Sequence, residues 1–459
     1  MGAVWIMNRT VVVEESLLGG LQSSLDVLAD DWRREGAGDV SILSHPKGVH
    51  LNPMDLRNKL TSIDDLEGAL LIGELPVALM DDPSYAPAKR YMSEYFFMEL
   101  KGNWTVSAEN VVSSTDNQPP NICIGRVVLG PDTGYQLAAT GNRPTEIEFY
   151  RRYLEKLHEF RCLSVAIEAG PNPAVALPPV NRFGFRAVIV DNVDLSPGIH
   201  ADRLGHLYPC ENIDIHQFAN KMEYTDILKS THDWLLLLAH SDPGGHQLAD
   251  GDIWNPCDYL SADAKVNFFQ FESCSVGSIV WVDQFDPVNP GILKLVSDPF
   301  VSNVLFTPTV GILMIAPSVG GYFGNVTVFY DKLHEGGTVG EAFRYWMAEQ
   351  IRLGWPDGRN FMVLYGDPFA RFGARVSRCI IGISFAGTTL APRLAAIRKW
   401  RDKVFSRSAL GRQLIRTYYK TSPYLEDAAA KSALMRTAIR FAVSKILFVL
   451  EATPSNSRI

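Results

Sequence analysis

Paired cysteines are missing from this chain. Its six cysteines, Cys123, Cys162, Cys210, Cys257, Cys274 and Cys379, are scattered, with no C-x-x-C spacing for zinc and no dense disulfide framework. Reduced thiols in a cytoplasmic setting are expected. Apolar runs of the roughly 18 residues that a spanning helix needs are missing too. The nearest approach, FAVSKILFVL at residues 441–450, could at most anchor the chain at a membrane surface. The opening MGAVWIMNRTVVVEE has neither a basic region nor a long apolar stretch, so no signal peptide is expected. No G-x-S-x-G elbow occurs, which removes the usual support for a serine nucleophile. Internal repeats and low-complexity tracts are absent as well.

What is present is an ordinary globular composition, 46% apolar and 20% charged over 459 residues, enough for two or three domains. Charge is unevenly placed. Residues 374–459 hold sixteen Lys or Arg against four Asp or Glu, a surplus of +12, so the preceding 373 residues carry −20 of the net −8. An acidic body with a basic tail suggests two units with different partners. The tail suits a membrane surface or an acidic partner, or is simply a solvated helical face. Nucleic acid is not expected as a partner.

Short β-branched apolar runs alternate with amphipathic segments, the pattern of α/β architecture with a largely parallel sheet. Strands are predicted at residues 10–13, 40–43, 69–72, 122–128, 163–167, 187–190, 234–239 and 266–271. Helices are predicted at 16–35, 145–160, 212–229 and 339–352. Two successive βα sets divide the body into subdomains 1–160 and 161–373, and 374–459 reads as a basic α-helical appendage.

Functional groups in parallel sheets collect at the carboxyl ends of the strands. WLLLLAHSDPGGH puts His240 directly after an apolar run, and FFQFESCSVG puts Cys274 in the same position on what should be the neighbouring strand. A thiol needs a nearby base to attack a carbonyl, and small residues after it let backbone N–H groups approach an oxyanion. Either residue alone is more often a buried filler; their joint occurrence favours catalysis. His246 is the alternative base, less favoured because its loop should be flexible. His240, His246, Asp250, Asp252 and Cys257 also have metal-ligand chemistry, though their spacing fits no closed zinc motif.

These residues resemble the caspase-like cysteine peptidases, and specifically the gingipain-like branch. ESCSVG is similar to the caspase pattern Q-A-C-x-G with the glycine one place later, as in gingipains. AHS stands where that branch shows G-H-G, so Ser241 replaces a glycine. Weaker blocks follow in order: ALLIGELP, EYFFMELKGNW with ICIGRV, and GGTVGEAFRYW with FMVLYGDPFARF, where Gly366-Asp367-Pro368 would form a turn. The resemblance spans about residues 10 to 372. It implies a caspase-like fold of two parallel-sheet subdomains flanked by helices, and a bacterial cysteine endopeptidase acting on protein or peptide through a thioacyl-enzyme. Cys274 would attack the scissile carbonyl and His240 would protonate the leaving amine. Backbone N–H groups of Cys274 and of Ser241 or Asp242 would bind the oxyanion. The family suggests calcium, but no ligands for it are assignable here and no other cofactor is expected. The tail resembles the bacterial CFI-box domain through Cys379, Arg401-Asp402, Gly411-Arg412, Tyr418-Tyr419 and Ser422-Pro423. Alternative readings are an inactive caspase-like scaffold that binds peptides and a metal-assisted hydrolase.

Overall fold

The computed structural model describes residues 7–82, 89–116, 118–131, 145–169, 186–194, 198–205, 207–208, 212–283, 292–296, 299–308, 310–319, 326–354 and 361–372. The chain divides into two compact units, Met1–Leu163 with Leu177–Phe372 and Ser164–Ala176 with Gly373–Ile459. The basic stretch 374–459, expected to be helical, lies outside the described residues. Among the described residues no helix is long and apolar enough to cross a membrane.

The first unit is built on one ten-stranded mixed sheet. Its strands are β1 (Asn8–Glu14), β2 (Val40–His45), β3 (Leu66–Ile72), β4 (Cys123–Val127), β5 (Ala187–Asp191), β6 (Ile213–Gln217), β7 (His232–Leu238), β11 (Val266–Glu272), β12 (Leu313–Pro317) and β13 (Met362–Gly366). Three short strands between them, β8 (Ser241–Asp242), β9 (Gly245–Gln247) and β10 (Ile253–Trp254), form a separate antiparallel sheet. Across the large sheet the order is β6-β5-β7-β11-β12-β13-β4-β3-β1-β2. Every neighbouring pair in it is parallel except β12 with β13. Two parallel halves of five strands therefore run in opposite directions and meet at one antiparallel pair. The α/β class is as expected. The two strand sets expected as separate sheets instead share one, because β13 pairs with both, and the expected boundary at residue 160 falls inside a helix.

That helix is α3 (Glu146–Ala169), and the expected strand 163–167 belongs to its last turns. A short apolar run has no periodicity that separates strand from helix, and here it prolongs a helix already nucleated at Glu146. The expected helix 212–229 is likewise corrected. It splits into β6 and α5 (Lys221–Lys229), because the Asn220 side chain accepts from the N–H groups of Met222 and Glu223 and starts the helix there. Other helices are α1 (Glu15–Arg34), α2 (Pro53–Thr61), α4 (Gly198–Leu204), α6 (Pro256–Ser261), α7 (Phe300–Leu305), α8 (Thr327–His334) and α9 (Val339–Arg352). In α1 the buried Leu17, Leu21, Leu25, Leu28 and Trp32 fall on one face, as their spacing predicts.

The seam between the two halves is tight. A Cβ on Gly125 of β4 would lie 2.0 Å from the Gly366 carbonyl oxygen of β13, so only glycine fits. Gly366 has φ +96° and opens the expected Gly366-Asp367-Pro368 turn. Asp367 is buried there; its carboxylate accepts from Arg161, from Trp32 Nε1 at 3.4 Å and from the Phe369 N–H at 2.9 Å.

Helix α3 is tied to the loop after α7 by one buried cation. Lys156 Nζ donates to the carbonyls of Leu305 (2.6 Å), Thr307 (2.8 Å) and Val310 (2.7 Å), with Gly311 at 3.4 Å. Burial pushes its pKa down to about 7, whereas the ring of carbonyl oxygens favours the ammonium. Lys156→Met fills much of the same volume but leaves these acceptors without their donor. It should destabilise the fold by about 3 kcal/mol, read as a shift in the urea unfolding midpoint.

Candidate functional site

Strands β7 and β11 read HDWLLLL and VNFFQFE, and all fourteen positions are buried. Each has sheet neighbours on both edges, and strands covered on both faces carry such continuous apolar runs. Their parallel register pairs Leu238 with Glu272. His240 follows Leu238 by two residues, and Cys274 follows Glu272 by two. The two residues expected to react therefore leave adjacent strands at the same level, and both are exposed.

The turn that carries Cys274 is pinned to β12. The Ser275 N–H donates to Val319 O at 3.2 Å, and the Gly277 N–H donates to Pro317 O at 2.7 Å. The Tyr365 hydroxyl donates to the Gly277 carbonyl from β13. Ser275 takes φ +59°, a conformation uncommon for a non-glycine residue. A Cβ on Gly277 would meet the Ala316 carbonyl oxygen at 2.5 Å, so the small residue after the cysteine is required for packing. Ser273 and Val276 are buried on either side, which leaves the Cys274 side chain outward. By contrast Cys123 is wholly buried, its thiol pushed up to about 12 by desolvation, and Cys257 is half-buried.

His240 enters a hairpin. Asp242-Pro243-Gly244-Gly245 turns tightly, with Asp242 Oδ1 accepting from the Gly244 N–H at 2.7 Å. The Gln247 N–H donates to the His240 carbonyl at 2.8 Å. Because hydrogen-bonded and non-hydrogen-bonded pairs alternate along an antiparallel ladder, Ser241 and His246 form the non-bonded pair and Asp242 with Gly245 the bonded one. The Asp242 N–H thus faces β9, while the Ser241 N–H faces away from it. Of the two N–H groups expected as oxyanion donors on this hairpin, that of Ser241 is the one turned away from the ladder.

The flexible loop expected around His246 is corrected. His246 lies on β9, wholly buried, with its ring 4.9 Å from Phe271, 4.6 Å from Phe300 and 6.0 Å from Tyr259. Its Nδ1 shares a 2.7 Å hydrogen bond with Ser241 Oγ. Desolvation lowers its pKa to about 3, which disfavours the protonated ring that an alternative base would have to form. Stability should report this. In the unfolded chain an imidazole takes its proton near 6.5, and the buried one only near 3. The contribution is therefore complete above pH 6.5 and is lost as pH falls towards 3. Between pH 7 and pH 4.5 the linkage costs roughly 2–3 kcal/mol. His246→Phe should lose that much less stability over the same interval, by urea unfolding at the two pH values.

Several polar residues at this end of the sheet went unread in the sequence. Leu238 pairs with Glu272 on one side and with Asp191 on the other, so buried carboxylates flank β7. Gln270 Nε2 donates to Glu272 Oε1 at 3.0 Å, and the Tyr330 hydroxyl donates to Gln270 Oε1 at 3.0 Å. His200 Nε2 lies 3.6 Å from Glu272, with its pKa lowered to about 4 by burial. The available signal was Gln270 and Glu272 two apart in a largely apolar strand, which puts both on one face.

Among the described residues no three His, Cys, Asp or Glu side chains come together as a metal site. Of the five considered, His246 bonds Ser241, and the Asp250 carboxylate accepts from the N–H groups of Lys221 and Asp252, each at 3.1 Å. Compared with known proteins, the chain matches no protein-family model, and no curated protein matches it in sequence.

Proposed function

We propose that this chain is a cysteine endopeptidase of gingipain-like, caspase-fold type, with Cys274 as nucleophile and His240 as its base and acid. The observation that carries the reading is the pair of exposed side chains at matched positions on adjacent parallel strands. His240 takes the thiol proton as Cys274 Sγ bonds to the scissile carbonyl carbon. The oxyanion is held by the N–H groups of Ser241 and Cys274. Collapse breaks the C–N bond, and the proton on His240 passes to the leaving amine. Water, deprotonated by His240, then hydrolyses the thioester and restores the thiol. Ser241, where the family shows glycine, is compatible with this scheme because its hydroxyl is bonded to His246.

Alkylation tests the dyad without a known substrate. Iodoacetamide at neutral pH should modify Cys274 faster than Cys257, leave Cys123 untouched, and lose its preference for Cys274 in His240→Ala, as mapped by peptide mass spectrometry. Equal reaction at Cys274 and Cys257 in both proteins would remove the dyad. For the basic stretch 374–459 we propose contact with an anionic membrane surface, with tail-dependent flotation on phosphatidylserine vesicles as the readout.

A further inference from the structure

The hairpin beyond His240 holds a buried histidine that the chemistry above leaves without a task. We propose that His246 is a positioning residue that sets the His240 imidazole against Cys274, a role that rests on the Cys274–His240 reading. Its Nδ1 bonds the hydroxyl of Ser241, the residue next to His240, at 2.7 Å. Its ring packs on Phe271, three residues before Cys274, with centroids 4.9 Å apart. The adjoining Gln247 N–H holds the His240 carbonyl at 2.8 Å. One side chain thus links the segment of the base to the strand of the nucleophile.

Histidine is a costly choice for that position. Its Nε2 is buried and has no hydrogen-bond partner among the described residues. Phenylalanine would fill the space between Phe271, Phe300 and Tyr259 without an unsatisfied nitrogen. What histidine adds is the bond to Ser241. That bond joins a non-hydrogen-bonded pair, where side chains of facing strands come closest. It also restrains Ser241, whose N–H is the hairpin's oxyanion donor, so base and donor are held together.

The test uses the full chain and five variants, Ser241→Ala, His246→Phe, the double variant carrying both, His246→Asn and His240→Ala. The readouts are the pH profile of iodoacetamide reaction at Cys274 between pH 5 and pH 9, and kcat and KM on a cleaved peptide. Ser241→Ala and His246→Phe should each bring the Cys274 profile closer to the one it has in His240→Ala. Each should lower kcat roughly 10- to 100-fold with little change in KM. The double variant should match either single one, because both remove the same bond. His246→Asn, whose amide stands where Nδ1 was, should recover part of the loss. An unmoved profile in Ser241→Ala and His246→Phe, with His240→Ala still shifting it, would overturn the positioning role alone. If His240→Ala leaves the profile unmoved, the dyad fails and the positioning role fails with it. Should His246→Phe not fold, Ser241→Ala decides by itself.

Discussion

Cys274→Ala and His240→Ala should each lower kcat/KM for peptide hydrolysis on the order of 10⁴-fold or more, and the double variant should lose little beyond either. Non-additivity is the informative part. A thiol without its base is mostly protonated near neutrality, and a base without its thiol has nothing to activate. Removing either therefore removes the whole covalent route. Both side chains are exposed at strand ends, and neither is part of the core. Their replacement should leave the unfolding midpoint nearly unchanged, which separates lost chemistry from lost fold. Additive losses in the double variant would mean that the two residues act independently.

Arg126→Met should destabilise the protein by about 3–5 kcal/mol. Arg126 lies on β4 beside the seam and is wholly buried. Its Nε donates to Glu94 Oε1 at 2.7 Å, and its remaining nitrogens reach the carbonyls of Leu75 at 3.2 Å and Pro76 at 3.0 Å. Methionine occupies similar space but leaves the Glu94 carboxylate buried without its cation. The double change Arg126→Met with Glu94→Gln should recover part of the loss, since no charge then stays buried. Urea unfolding of the three proteins measures both effects. A cost below about 1 kcal/mol for the single change would show that the pair is held like a surface ion pair.

The parts of this fold that were legible in the sequence are those whose pattern is local. Residues 339–352 coincide with α9, because Thr338 caps the helix and buried positions recur at helical spacing. The runs at 10–13, 40–43, 69–72, 122–128, 187–190, 234–239 and 266–271 coincide with strands of the large sheet, since buried parallel strands are short and apolar. Residues 163–167 have the same composition inside a helix, and composition alone could not separate the two. Sheet continuity was not legible. It depends on β13 lying antiparallel to β12 while pairing with β4, a contact between residues 126 and 365 that no local pattern encodes. His240 and Cys274 stand out in the sequence as polar residues that end apolar runs, and the parallel register brings both runs to the same end of the sheet. His246 was misplaced because its burial comes from Phe271 and Phe300, distant in sequence, whereas Pro243 and the glycines around it signalled only a loop.

The most direct measurement is a fluorogenic peptide library incubated with the wild-type chain and with Cys274→Ala side by side. The expected result is cleavage of some members by the wild type alone, with none above background in the variant. Wild-type signal equal to the variant's on every member, with both proteins folded, would contradict the peptidase reading. Binding of those same peptides without turnover would then identify the chain as a scaffold.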